Sequence, residues 1–334
     1  MTFEAIRTFM GPSFEHRGEL LRALMLVCAI RPAAVFLYGI FMRPLALLLS
    51  VPLTLATPQG RRAISFFADD YERSWFGGLR MAVRSHMNKL KEFGDLQRII
   101  DKKIRPDQYT VTIDANDEVR RLIASNDSLV VTSAHFVRGI GMGVVFGKNL
   151  LDRHLYLITA RPPVVATDAY RWRVQVQLSQ ALNAARAVRE DLTFIFTGGA
   201  FSSLIEDLRA KRSMAYINID APWGSHRASS YARPFAGAAT RTFSTGAAKL
   251  SRLTGSPLLF LLPTLEKNKH VRVRLLGPFT SAETDPDKHD IDITHQVLDF
   301  VEREVGRRPT EYILDIGGAR RWDAAREIWV ERHA

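Results

Sequence analysis

His135 is the residue of this chain best placed to do chemistry. It follows Leu129-Val130-Val131-Thr132-Ser133-Ala134, a short apolar run that reads as a buried strand, and Phe136-Val137-Arg138-Gly139 comes next. Open α/β sheets carry ligands and reacting groups just beyond the carboxyl ends of their strands. Imidazole titrates close to neutrality, so a histidine there is a candidate general base. Other polar groups end other apolar runs: Arg161-Pro162-Pro163, Thr197-Gly198-Gly199 and Asp220-Ala221-Pro222-Trp223-Gly224. Arg161, and Arg138 just past the histidine, are candidates to hold a phosphate with a bidentate guanidinium. Gly198 and Gly199 can offer backbone N–H groups to an anion at a helix start. Asp220 is a candidate acid for the same crevice; capping, or pairing with Arg227 or Arg233, is its structural alternative.

Other chemistries find little support. His289, Asp290, Asp292 and His295 are ligand types, but their spacing is not that of a helix-borne ligand pair, and they read as a polar loop entering a helix. No metal is expected there. No Gly-x-Gly-x-x-Gly, Walker A or Gly-x-Ser-x-Gly pattern occurs. Cys28 is the only cysteine, so neither an intrachain disulfide nor a cysteine-based metal site is expected.

The elements that must position these groups alternate. Strands are expected at Tyr109–Ile113, Leu129–Thr132, His154–Thr159, Leu192–Phe196, Ser213–Ile219 and Leu258–Leu262. Helices are expected at Asn116–Ser125, Gly139–Leu151, Ala169–Asn183, Ala200–Lys211 and Thr242–Thr254, the last stopped by Gly255-Ser256-Pro257. Residues 266–272 read as a solvated hairpin loop. This spacing predicts one α/β domain with a mostly parallel sheet flanked by helices. Ahead of it, Arg61–Asp101 has helical periodicity, with a break expected at Gly77-Gly78 and a basic face of Arg80, Arg84, Lys89 and Lys91.

Residues 20–57 are the most apolar part of the chain. Arg31-Pro32 and Arg43-Pro44 cut them into blocks shorter than the roughly 20 residues of a spanning helix. They read as a membrane-interfacial helical segment, with Arg17, Arg22, Arg31, Arg43, Arg61 and Arg62 facing headgroups; a buried hairpin is the alternative. The organisation expected is therefore 1–60 as an apolar N-terminal segment and 61–334 as the α/β domain. With 46 Lys+Arg against 35 Asp+Glu, the net charge of +11 favours an anionic partner. Without a recognised motif or basic-aromatic interleaving, nucleic acid is not the expected one.

In order along the chain, Ser133-Ala134-His135-Phe136, Tyr156–Pro162, Leu204–Ile219 with Asp220–Gly224, Pro234-Phe235-Ala236-Gly237, Gly246–Pro257 and Pro309-Thr310-Glu311-Tyr312 with Arg320-Arg321-Trp322 follow one family's sequence of motifs. Over roughly residues 60–325 the chain resembles the lipid A biosynthesis acyltransferases, within the glycerolipid and lysophospholipid acyltransferase superfamily. That resemblance implies transfer of a fatty acyl chain from an acyl carrier protein or acyl-CoA thioester to a hydroxyl, or an amine, of a membrane lipid or glycolipid. The thioester is a co-substrate, and no cofactor is implied. The setting implied is the cytoplasmic face of a bacterial inner membrane. His135 matches the general base, and Arg161 falls in the segment matching the family's Tyr-Arg-Pro block.

The family's acidic partner would fall at position 140, where this chain has Ile140, and no acid occurs between 136 and 151. A backbone carbonyl or Asp220 is then needed to orient the imidazole. With neither, the chain would be a degenerate relative that binds lipid or a partner without acyl transfer.

Overall fold

The computed structural model describes residues 50–51, 54–55, 58–72, 74–137, 153–159, 181–189, 192–196, 201–210, 212–220, 230–266, 269–312, 316 and 318–332. The chain divides into two compact units. The first takes Met1–Lys103 and Pro162–Ala184, and the second Ile104–Arg161 and Ala185–Ala334.

In the first unit, α1 (Pro58–Phe67) runs through a π-helical turn, Ala68–Glu72, before α2 (Trp75–Ile100) begins. The long helix expected from Arg61 is therefore interrupted by the turn at Ala68–Glu72, not at Gly77-Gly78. Ser74 Oγ accepts the Gly77 N–H at 3.1 Å and starts α2. Gly78 has a different role. A Cβ there would lie 2.4 Å from the Ile64 carbonyl oxygen, so its bare backbone lets α2 pass against α1. Arg80 and Arg84 are exposed on α2, whereas the side chains of Lys89 and Lys91 lie outside the described residues. Among the described residues, no helix is long and apolar enough to cross a membrane.

The second unit is an α/β domain. Its strands are β1 (Thr110–Asp114), β2 (Leu129–Ser133), β3 (His154–Thr159), β4 (Thr193–Phe196), β5 (Ser213–Asn218), β6 (Ser230–Phe235), β7 (Ala238–Ser244), β8 (Leu258–Leu265), β9 (His270–Leu276), β10 (Arg320–Asp323) and β11 (Ile328–Glu331). Between them lie α3 (Asp117–Ala124), α4 (Ser202–Arg209), α5 (Gly246–Thr254) and α6 (Pro286–Arg307). Among the described residues, seven strands form one sheet in the order β1-β9-β8-β2-β5-β3-β4. The run β8-β2-β5-β3-β4 is parallel; β9 is antiparallel to β8, and β1 is parallel to β9. The mostly parallel sheet flanked by helices thus matches the expectation.

Burial explains why β2 forms where it does. All of Leu129–Ser133 is buried, and so are Leu258–Pro263 of β8, as for strands covered on both faces. Helix ends are closed by side chains. Asn116 Oδ1 accepts the Val119 N–H at 2.8 Å to start α3, and buried Arg153 donates to the carbonyls of Leu122, Ile123 and Ser125 at its end. Asp285 accepts the N–H groups of Asp287 and Lys288 to start α6.

Two expectations fail around the β6–β7 hairpin and the β8–β9 turn. Residues 242–244, expected as the start of a helix, complete β7, and α5 begins at Gly246. Phe235 pairs with Ala238, so Ala236-Gly237 closes a two-residue hairpin loop, with Ala236 at φ +48. Glu302 of α6 holds that strained residue by accepting its N–H at 2.8 Å. The expected loop at 266–272 is shorter than anticipated, because His270 and Arg272 already belong to β9. The expected helix Gly139–Leu151 lies outside the described residues, as do all but the last three residues of Ala169–Asn183.

Candidate active site

The sheet register builds the site. β2 pairs with β5 in parallel, from Leu129 opposite Met214 to Ser133 opposite Asn218. The same offset continues past both strands. The Ile219 N–H donates to the Ser133 carbonyl at 2.9 Å, and one residue further His135 meets Asp220. The chain leaves β2 toward β3 and leaves β5 toward β8, in opposite directions along the sheet. Open α/β sheets bind ligands outside the carboxyl ends of their strands, which is where His135 and Asp220 lie.

His135 Nδ1 lies 2.6 Å from Asp220 Oδ1, and the His135 backbone N–H donates to Asp220 Oδ2 at 2.9 Å. Oδ2 also accepts from the Tyr312 hydroxyl at 2.8 Å. The Asp220 side chain is wholly buried, whereas the imidazole keeps 13% of its surface exposed. Burial alone would raise the Asp220 pKa. The imidazole, its hydrogen bonds and the Arg241 guanidinium outweigh that and hold the carboxyl below the ordinary aspartate value. An ionised carboxylate only accepts hydrogen bonds, so Nδ1 carries the imidazole proton and Nε2 is left as the basic atom. Among the described residues, none hydrogen-bonds Nε2.

Two further residues frame the pair. Tyr312 is buried, its ring packs edge-on against Phe136 at 5.4 Å, and its backbone bridges that of Phe136. The Val137 N–H donates to the Glu311 carbonyl at 2.6 Å. Burial, and then the Asp220 charge, push the Tyr312 phenol well above its usual pKa, so it remains a protonated donor. Arg241 of β7 donates through Nη1 to the Tyr312 hydroxyl at 3.1 Å and through Nη2 to the Asp220 backbone carbonyl at 3.0 Å. Its guanidinium lies over Phe235 and Phe243, at 5.3 and 5.5 Å from the ring centroids.

Of the residues picked out in the sequence, the structure brings His135 and Asp220 together. The carboxylate, not a backbone carbonyl, orients the ring. Asp220 does not pair with Arg233, which binds Asp299 at 2.8 Å and Glu302 at 2.9 Å. Arg138, Arg161, Gly198, Gly199, Arg227 and Ile140 lie outside the described residues. The His289 cluster sits on α6 and is not a loop. Asp290 is held bidentately there by Arg252, both contacts at 2.8 Å.

Tyr312 and Arg241 were missed as site residues. Tyr312 stood in a motif with no chemistry assigned to it. Arg241 needed the β6–β7 hairpin, which the aromatic and β-branched residues on either side of Ala236-Gly237 (Tyr231, Phe235, Thr240, Thr242, Phe243) could have signalled. A scan of the chain against protein families finds no match, and neither does a search against curated proteins.

Proposed function

We propose that the protein is a membrane-associated acyltransferase. It would move a fatty acyl chain from an acyl carrier protein or acyl-CoA thioester to a hydroxyl, or an amine, of a lipid or glycolipid at the cytoplasmic face of a bacterial inner membrane. The observation that carries this reading is the His135–Asp220 pair at the carboxyl ends of β2 and β5. Asp220 takes the role that Ile140 leaves open, which favours chemistry over lipid binding alone.

In this mechanism Nε2 of His135 removes the proton of the acceptor hydroxyl as its oxygen attacks the thioester carbonyl carbon. The C–S bond then breaks, and the imidazolium returns the proton to the departing thiolate. Asp220 holds the ring and stabilises the imidazolium. The resemblance to lipid A biosynthesis acyltransferases supplies the acyl donor and the lipid acceptor. A net charge of +11 suits an anionic surface and an acidic carrier. In the first unit, Trp75 and Phe76 are 53% and 79% exposed, with exposed Arg80 and Arg84 further along the same helix. Aromatic and basic side chains of this kind suit the headgroup region of a bilayer.

The test is mass spectrometry of lipids from cells carrying the intact gene, no gene, or His135→Ala. The expected result is one lipid bearing an extra acyl chain only with the intact gene. The same lipid made in full by His135→Ala would overturn the assignment.

A further inference from the structure

We infer that Tyr312 and Arg241 are positioning residues for the His135–Asp220 pair, forming a hydrogen-bonded relay that fixes the carboxylate and thereby the basic nitrogen. The inference rests on the proposed role of His135 as a base. Four contacts carry it. Tyr312 reaches Asp220 Oδ2 with its hydroxyl and Phe136 with its backbone, so one residue grips both sides of the pair. Arg241 grips Tyr312 and the Asp220 backbone with the two arms of one guanidinium.

Geometry makes the relay directional. Asp220 Oδ2 accepts the His135 backbone N–H and the Tyr312 hydroxyl, which leaves Oδ1, among the described residues, facing the imidazole N–H alone. Rotation of the carboxylate about its Cβ–Cγ bond would break both Oδ2 contacts together. The tyrosine hydroxyl can donate only one proton. Because Arg241 donates to that oxygen, the proton is turned toward Asp220. A lysine would keep the charge but not the fork, so it could not hold both acceptors in this geometry.

The charged and titratable groups around the pair fit this assignment. Arg308 lies over the Phe136 ring at 5.2 Å, and its guanidinium is engaged by Glu304 and Glu311. Arg241 and Tyr312 are therefore the groups bonded to the dyad itself among the described residues. They come from a hairpin and from the segment after α6, far from His135 in sequence. The active unit is thus closed by the C-terminal part of the chain.

The experiment uses the full chain, labelled with 15N-histidine, in parent, Tyr312→Phe and Arg241→Lys forms. Tyr312→Phe keeps the ring that packs on Phe136 and removes only the hydroxyl. In the parent, the His135 signals are expected to report protonation at Nδ1. In both variants they are expected to move toward a mixture of the two tautomers, while the other histidines stay in place. Turnover of the acyl transfer is expected to fall about ten- to a hundredfold with KM unchanged, as for the loss of one charge-assisted hydrogen bond. Unchanged His135 signals in a folded Tyr312→Phe protein would overturn the inference, and so would full turnover. If Tyr312→Phe fails to fold, Arg241→Lys decides on the same signals. Tautomer mixing in a protein without transferase activity supports the relay and counts only against the proposed reaction.

Discussion

His135 and His270 each bond a carboxylate through Nδ1, at 2.6 Å to Asp220 and 2.8 Å to Glu266. His270 adds a contact from Nε2 to Thr112 Oγ1 at 2.7 Å, so that Thr112, His270 and Glu266 line up as hydroxyl, imidazole and acid. By side-chain type and distance, the second cluster is the more complete. The surroundings reverse that ranking. Asp220 is sealed from solvent, whereas Glu266 is 35% exposed and shared with Arg272. Glu266 lies four residues before His270 across a hairpin turn, so their contact is local and exchanges readily with water. Asp220 is 85 residues from His135, and the sheet register holds the two together. The Nε2 of His270 is occupied, while that of His135 has no hydrogen-bond partner among the described residues. A catalytic base is recognised by an oriented ring with one free nitrogen, and the number of partners is a poor guide.

The sharpest way to break this contrast is to remove each imidazole. His135→Ala is expected to lower acyl transfer by about ten-thousandfold, the upper range for a general base, and His270→Ala by less than about twofold. Initial rates with a thioester donor would measure both. Comparable losses in the two variants would erase the distinction drawn between the sites. Next comes the acid. Asp220→Asn is expected to cost between about a hundredfold and ten-thousandfold, because an amide can present the wrong group to Nδ1. Glu266→Gln is expected to leave rates at the parental level.

Much of the scaffold was legible. The apolar run Leu129–Thr132 and its counterparts at 154–159 and 213–219 betray strands through composition alone, and Gly255-Ser256-Pro257 marks a helix end. Strand order was not legible. Nothing in the local pattern says that β5 lies beside β2 while β3, earlier in sequence, lies one strand further out. Asp220 therefore entered as one of two possible partners for the ring, and only the register singles it out. Tyr312 and Arg241 were hidden for the same reason, since each reaches the site through non-local packing. The break between α1 and α2 was misplaced for a different reason. Glycine usually marks an interruption, but Gly78 marks a close helix crossing.

A smaller effect concerns pH. Because the Asp220 carboxyl is held below its ordinary value, the unfolded chain binds this proton more readily than the folded chain. The group therefore contributes stability above the unfolded aspartate value of about 3.9 and loses it as pH falls through the lower folded value. Urea midpoints of the parent are expected to drop more steeply below about pH 4 than those of Asp220→Asn. Parallel pH profiles would mean that the carboxylate carries no such bias.

The smallest expected effect tests the exposed cluster from its hydroxyl end. Thr112→Val removes the group facing His270 Nε2 and keeps the β-branched shape that suits β1. Both partners remain open to water, which replaces the lost hydrogen bond. The stability change is expected to stay within about 0.5 kcal/mol, the range of surface substitutions away from buried networks. Transfer rates are expected to be unchanged. A large loss of activity in Thr112→Val would promote this surface array to a working site, and the burial criterion that separates it from His135 would then have to be abandoned.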